Sequence, residues 1–461
     1  MILQTPEFAL PTGTKGTHEG CPYDPPRPIA RVAVIGLGYV GLPLATAFAE
    51  AGLSVVGFDV DDRKVRAVTE GACYIPDIDG GLFARQVESG RLGATTDPRV
   101  LGEDDLDAAI ICVPTPFTRA KQPDLTHILG AGAQIREHLR PRPGGARLVI
   151  LESTTYPGTT QEILLPLLES GGLRSGVDFE LAYSPERVDP GNQRFGLRNT
   201  PKIVAGLTPR ARDLAVALYR HVADQVVPVS EPRVAEMAKL LENTFRHVNI
   251  ALANEMGLLC GEIGVNIWEV IEAAATKPFG FMPFYPGPGV GGHCIPIDPF
   301  YFSWKCREHD RQARFIELAG EINDRMPEVV VERIAEALNL HRKSLRDSRV
   351  LVLGISYKKD VGDVRESPAL KVIDRLHRRG AHVSYHDPYV PACLNRVPTA
   401  GGCGPLTSVA LDDAAIRGAD CVVILTDHSN IPYRRIAGMA RIVVDTRNVL
   451  PADDPLRVVR L

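Results

Sequence analysis

Arg31-Val-Ala-Val-Ile-Gly-Leu-Gly-Tyr-Val-Gly41 is a short apolar run that breaks into Gly36-x-Gly38-x-x-Gly41 and is followed by the helix-forming stretch Leu42 to Ala51. A buried strand, a glycine turn and a helix in that order form the phosphate-binding corner of a dinucleotide fold. Ser54-Val-Val-Gly-Phe-Asp59 reads as the next strand, and its terminal acid stands 23 residues after Gly36. The glycines let a pyrophosphate approach the backbone and the helix N-terminus, while Asp59 accepts hydrogen bonds from ribose hydroxyls and repels a 2′-phosphate. The cofactor expected is therefore NAD, held at Gly36, Gly38, Tyr39, Val40, Gly41 and Asp59. Thr115, in Val113-Pro-Thr-Pro116 at the end of another apolar run, falls where a cofactor crosses the sheet edge; on position alone it reads equally as a turn former.

Outward from this corner, Ala108 to Val113 and Arg147 to Leu151 are further apolar runs alternating with helical or loop segments, the pattern of a doubly wound parallel sheet. From Glu231 to about Ala275 apolar residues recur at helical spacing, and no proline stands between Pro232 and Pro278, so long helical structure is expected. A second helical stretch is expected over Arg311 to Asn339. Arg349 to Gly354, Ala381 to Tyr385, Cys421 to Leu425 and Ile442 to Asp445 open a second strand series without a second glycine fingerprint. The architecture expected is α/β, with two Rossmann-like doubly wound sheets joined by a long helical connector. Its parts are a tail over 1–29, a dinucleotide domain over 30–228, a central helical domain over 229–340 and a C-terminal α/β domain over 341–461.

The bulk composition narrows the class. A chain of 461 residues exceeds a single core. A formal net charge of −4 offers no polybasic field for nucleic acid or an anionic membrane. No stretch approaches the roughly 20 consecutive apolar residues needed to span a bilayer. Nine cysteines, with no CxxC pair, suit a reduced, cytoplasmic protein without a metal site.

One cysteine stands apart. Cys294 lies in Gly287-Pro-Gly-Val-Gly-Gly-His-Cys-Ile-Pro-Ile-Asp298, where little side-chain bulk shields its sulfur and a carboxylate follows four residues on. A thiol there can capture an aldehyde as a thiohemiacetal, which offers a second hydride, so an alcohol can be carried through a thioester to an acid. A single thiol taken alone reads as well as a buried core residue. Lys239 and Asn243 share a helix face and form either an oxyanion-binding pair or part of a solvated face. Lys358, Lys359 and Arg365 follow the first strand of the second sheet, where a pyrophosphate could bind; on charge alone they are a solvated loop. Trp268 and Phe279 to Tyr285 form either a sugar-pocket wall or plain core.

Taken together, these motifs resemble the UDP-glucose/GDP-mannose dehydrogenase family over residues 30–450. The resemblance rests on Gly36-Leu-Gly-Tyr-Val-Gly-Leu-Pro43, Val113-Pro-Thr-Pro116, Glu152-Ser-Thr-Thr155, Tyr183-Ser-Pro-Glu-Arg187, Lys239 with Asn243, Gly291-Gly-His-Cys-Ile-Pro-Ile-Asp298 and Tyr357-Lys-Lys-Asp-Val-Gly-Asp-Val-Arg-Glu-Ser-Pro368. It implies oxidation of a nucleotide-sugar C6 alcohol to a uronic acid with two NAD. Cys294 is then the nucleophile, Lys239 and Asn243 stabilise the oxyanion, Asp298 and Thr154 order water and relay protons, and Glu186 assists hydrolysis. Thr154 also falls at the cofactor. Substrate contacts are implied for Glu186, Arg187, Lys239, Asn243, Gly291, Lys358, Arg365 and Arg447. Where UDP-glucose dehydrogenases carry a second acid four positions after this glutamate, Pro190 stands here, which leaves hydrolysis to Glu186 and Asp189. The stretch Lys277 to Tyr301 resembles the branch acting on UDP-N-acetylhexosamines, with UDP-N-acetylglucosamine expected first, UDP-N-acetylmannosamine second, and UDP-glucose and GDP-mannose after them. Relatives are usually dimers or larger, so a homodimer is expected. Two readings from other classes remain open: a single-oxidation β-hydroxyacid-type dehydrogenase with no use for Cys294, and a non-catalytic nucleotide-sugar binding protein.

Overall fold

The computed structural model describes residues 29–118, 122–141, 145–189, 191–192, 194–399, 402–451 and 458–461. Residues 1–28 of the expected tail and Pro190 lie outside the described residues. The chain packs as two compact units: one holds the described residues up to Glu242 together with Phe300–Arg311, the other Asn243–Pro299 and Gln312–Leu461.

In the first unit the sheet is built from β1 (Arg31–Ile35), β2 (Ser54–Phe58), β3 (Leu92–Thr95), β4 (Ala108–Ile111), β5 (Arg147–Leu151), β6 (Phe179–Tyr183), β7 (Lys202–Gly206) and β8 (Val226–Pro228). Their order is β3-β2-β1-β4-β5-β6-β7-β8, and the pairs are parallel except for antiparallel β6 and β7. Every residue of β4, β5, β6 and β7 is buried, as strands covered on both faces require. Alternation along β1 sends Val32 and Val34 into one core and Ala33 and Ile35 into the other. Burial of each valine or isoleucine contributes about 1.5–3 kcal/mol. The strand order reverses between β1 and β4, so the loops after these strands flank the crevice where a parallel sheet binds its ligand.

In the second unit, β9 (Arg349–Leu353), β10 (His382–His386), β11 (Ala392–Thr399), β12 (Gly402–Thr407), β13 (Cys421–Ile424), β14 (Val443–Asp445) and β15 (Val458–Arg460) follow in sequence. Five of them form a parallel sheet in the order β10-β9-β13-β14-β15, while β11 and β12 pair separately. Val350 and Val352 face one core, Leu351 and Leu353 the other.

The helical segment expected from Glu231 to Ala275 is two helices, Pro232–Glu262 and Ile267–Ala275. Gly264 lies between them in the left-handed region at φ +75°, and the Asn266 side chain caps the second by accepting from Trp268 N. Asp298–Arg307 forms a further helix, not expected from the sequence, before Arg314–Leu340.

Candidate active site

Gly36 closes β1 at φ +93° and donates its N–H to Phe58 O at 2.8 Å. A Cβ on Gly36 would stand 2.9 Å from Cys112 O, and one on Gly41, the first residue of the helix Gly41–Glu50, would stand 1.9 Å from Gly36 O. Only glycine permits this approach of helix to strand. A Cβ on Gly38 would meet nothing within 4 Å, so the loop is open on that side. Val40 precedes the helix and Tyr39 is exposed. Buried Asp59 accepts from Leu37 N at 2.8 Å, Asp61 N at 2.9 Å and Lys64 Nζ at 2.9 Å. A carboxylate has about four acceptor directions, so one remains for a ribose hydroxyl. Open glycine face, helix N-terminus and Asp59 fit the adenosine and pyrophosphate of NAD.

Thr115 and Thr154 follow β4 and β5. The Thr115 carbonyl accepts from the Tyr301 hydroxyl, and Ser153 Oγ donates to Val113 O at 2.7 Å, tying the two loops together. Arg187 is held by Glu242, at 2.7 Å from Oε1, and by Pro201 O at 2.6 Å. Glu186 accepts backbone N–H bonds from Arg187 at 2.7 Å and Val188 at 2.5 Å, and its other oxygen lies 3.2 Å from Lys202 Nζ. Lys202 also donates to Glu152, which in turn accepts from the Tyr219 hydroxyl at 2.8 Å. Burial pushes Glu152 up to about 7. Burial also pushes on Glu186, but Lys202, the Val188 amide and Lys239 outweigh it and hold Glu186 below its ordinary value. Lys239 itself is buried.

In the second unit Asn243 Nδ2 donates to Asp298 Oδ2 at 2.6 Å, and Asp298 N donates to Cys294 O at 2.8 Å. Cys294 and its neighbour His293 are exposed. Although its surface is open, desolvation by the surrounding loops and then the Arg365 charge hold His293 below its ordinary value. The cysteine loop packs on the loop after β9: Gly292 N donates to Arg365 O at 3.2 Å, and a Cβ on Gly291 would stand 2.8 Å from Tyr357 Cβ. Arg365 forms a bidentate pair with Asp363 at 2.9 and 2.6 Å. Arg447 follows β14, donates from Nε to Leu425 O at 2.8 Å, and its guanidinium stands 2.8 Å from where a Gly287 Cβ would lie. Gly291, Cys294, Arg365 and Arg447 are thus gathered by three loops of one unit. Trp268 packs with Cys260, Ile267 and Ile271 in a small buried cluster and stacks on Tyr285 at 5.6 Å, while Phe279, Phe281, Met282 and Tyr285 are exposed.

Two constellations escaped the sequence reading. One is Glu152 with Lys202, although a lysine opening the otherwise apolar strand Lys202-Ile-Val-Ala-Gly206 is a signal that a buried partner awaits it. The other is His428 with Asp387 and Ser356, all buried. Asp360 N donates to His428 Nδ1 at 2.9 Å, leaving Nε2 as the ring N–H, 3.1 Å from Asp387 Oδ2. Ser356 Oγ donates to Lys358 O at 2.9 Å, so this network holds the loop that carries Lys358. Among the described residues no three His, Cys, Asp or Glu side chains group as a metal site, and no helix is long and apolar enough to cross a membrane.

A parallel sheet with this fingerprint at its switch point defines the class as a nicotinamide-dinucleotide oxidoreductase. Three sequence profiles of the UDP-glucose/GDP-mannose dehydrogenase family match: its NAD binding domain over residues 30–223, its central domain over 233–325 and its UDP binding domain over 351–452. The UDP-N-acetyl-D-mannosamine dehydrogenase of Pyrococcus horikoshii is 38% identical over 428 residues, covering 91% of this chain and 96% of that one. The NDP-N-acetyl-D-galactosaminuronic acid dehydrogenase of Ralstonia nicotianae is 36% identical over 439 residues, with coverage of 91% and 96%. Among solved structures, the UDP-D-ManNAc dehydrogenase of Pyrococcus horikoshii superposes with a TM-score of 0.83 at 35% identity, covering 93% of this chain and 98% of that chain. The chain belongs to the UDP-glucose/GDP-mannose dehydrogenase family. It is an NAD-dependent oxidoreductase of nucleotide sugars.

Proposed function

We propose that this enzyme oxidises the C6 alcohol of UDP-N-acetylmannosamine to the uronic acid through a thioester on Cys294. The observation that carries the reading is the exposed thiol on a glycine loop packed against the Arg365 loop, with Asn243 and Asp298 hydrogen-bonded four residues along. Relatives bearing the mannosamine name favour this C2 epimer over the UDP-N-acetylglucosamine expected from the sequence of the cysteine loop.

Bound NAD supplies the acceptor for each of the two hydrides. The C6 hydroxyl loses a proton and C6 a hydride, giving an aldehyde. The Cys294 sulfur adds to that carbon, with Lys239 and Asn243 donating to the developing oxyanion. Loss of a second proton and hydride leaves a thioester. Water then adds to it, its proton passing to Glu186, and the C–S bond breaks with its electron pair returning to sulfur. Thr154 and Asp298 order the water and relay protons, while Lys358, Arg365 and Arg447 hold the UDP. Thr115 and the Gly36 to Gly41 loop hold NAD. The thiols Cys73, Cys112, Cys260, Cys306 and Cys421 suit a reducing compartment, the cytoplasm.

NADH formed per sugar at completion tests the reaction. Two per UDP-N-acetylmannosamine is the expected result, and UDP-N-acetylglucosamine and UDP-glucose should turn over more slowly. A ratio of one would refute the thioester, and faster turnover of the glucosamine epimer would refute the substrate assignment.

The same reading includes a homodimer. Phe245, Leu252, Met256 and Leu259 are exposed on the helix Pro232–Glu262 at spacings of seven, four and three, one continuous stripe. Light scattering should give twice the mass of the 461-residue chain, and Leu252→Glu with Met256→Glu should give the single-chain mass. A wild-type monomer would overturn the assignment.

A further inference from the structure

We propose that Lys202, seated between Glu152 and Glu186, is a positioning residue that holds the Glu186 carboxylate ready to accept the proton of the hydrolytic water. This deepens the reading above and rests on Glu186 serving thioester hydrolysis. The geometry is specific. Lys202 opens β7, 16 residues after Glu186 and 50 after Glu152, and its side chain is 3% exposed, against 0% for Glu152 and 16% for Glu186. Of the two carboxylates, only Glu186 reaches solvent, so only it can meet a water and a substrate. Its Oε1 is fixed by two backbone N–H groups and its Oε2 by the Lys202 ammonium, which leaves the carboxylate no freedom to turn.

Two carboxylates share the buried Lys202, and a second buried cation, Lys239, stands on the Glu186 side. The environment separates their roles. Glu152 faces Lys202, Glu186, the Tyr219 hydroxyl and, at 3.9 Å, the Cys112 thiol. Glu186 faces Lys202, Lys239 and the amides of Arg187 and Val188. Burial raises Glu152 to about 7 while Glu186 is held below its ordinary value, so Glu186 keeps its charge through the range in which Glu152 titrates. The Lys202 ammonium, also stacked over the Tyr219 ring at 5.1 Å, bridges the two carboxylates and helps hold Glu186 in its charged form. When water adds to the thioester carbon, Glu186 takes one proton, and a second returns to the Cys294 sulfur as the C–S bond breaks. Lys202 keeps its proton throughout.

The test follows the covalent adduct on Cys294 by intact-protein mass after mixing enzyme with NAD and UDP-N-acetylmannosamine. Lys202→Met should bind NADH and form the adduct, yet hydrolyse it roughly 100-fold more slowly. Its hydrolysis rate should also rise at higher pH than in the wild type, since without the cation Glu186 keeps a proton longer. Lys202→Arg should restore most of the rate. Glu152→Gln fixes the neutral form of that acid and should leave the rise where the wild type has it; combined with Lys202→Met it leaves no unpaired Glu152 charge in the core, and this double variant decides the question if Lys202→Met alone fails to fold. Unchanged hydrolysis and an unshifted pH profile in Lys202→Met, alone or with Glu152→Gln, would overturn the proposal while Glu186→Gln still stalls. If Glu186→Gln itself clears the adduct at the wild-type rate, the role of Glu186 falls and this inference with it. If wild-type enzyme never forms an adduct, the thioester reading is the part that fails.

Discussion

Replacing Cys294 with serine is expected to lower uronic acid formation on the order of 1000-fold or more, as loss of a covalent nucleophile does. A serine hydroxyl is far less nucleophilic near neutral pH than a thiol with its appreciable thiolate fraction, so the aldehyde is not captured and the second hydride has no donor. Cys294 is exposed, and the exchange removes no core contact. Stability should therefore change by no more than about 0.5 kcal/mol. Thermal melting and NADH titration would match the wild type while the slow formation of uronic acid, followed by chromatography of the nucleotide sugars, separates chemistry from folding. Undiminished production of two NADH per sugar would reduce Cys294 to a loop residue and refute the thioester route for the second oxidation.

Gly41→Ala is expected to weaken NAD binding roughly 100-fold, the cost of displacing a binding element by about 1 Å. The new methyl would overlap the Gly36 carbonyl oxygen at 1.9 Å and crowd Cys112 Cβ at 3.2 Å. The first is backbone and cannot rotate away. Gly36 is pinned to β2 through Phe58 O, so the helix Gly41–Glu50 must yield, taking Leu42, Leu44, Ala45 and Phe48 out of register in their core. Strain of this kind costs about 1–3 kcal/mol. Gly38→Ala is the informative companion: its methyl meets nothing within 4 Å, so folding should be untouched while the open face that receives pyrophosphate is narrowed. Calorimetric NADH titration and thermal melts of both variants check the pair. Equal stability losses would mean the two glycines serve packing alike.

Legibility differed by feature. The first sheet and its cofactor corner were readable because a strand buried on both faces must be apolar throughout, and because a helix that starts against a strand end admits only glycine. The second sheet was readable on the same apolar logic. The helical connector was read as one element because its apolar spacing continues past Glu262; what ends it is Gly264 in a left-handed turn and the Asn266 cap, two residues whose effect depends on backbone angles. The helix opening at Asp298 was hidden by Pro296 and Pro299, although proline is compatible with a helix's first turn.

The sequence by itself determined the fold class and the dinucleotide fingerprint and singled out Cys294 as the candidate nucleophile, since each rests on residues close together in the chain whose physical demands are local. Tertiary structure alone decided which distant groups share charge and protons. It placed Lys202 between Glu152 and Glu186, drew Asn243 onto Asp298, and laid the Cys294 loop on the Arg365 loop. The reason is physical. A carboxylate's protonation depends on what surrounds it within a few ångströms, and strand order, which no local pattern states, selects those neighbours.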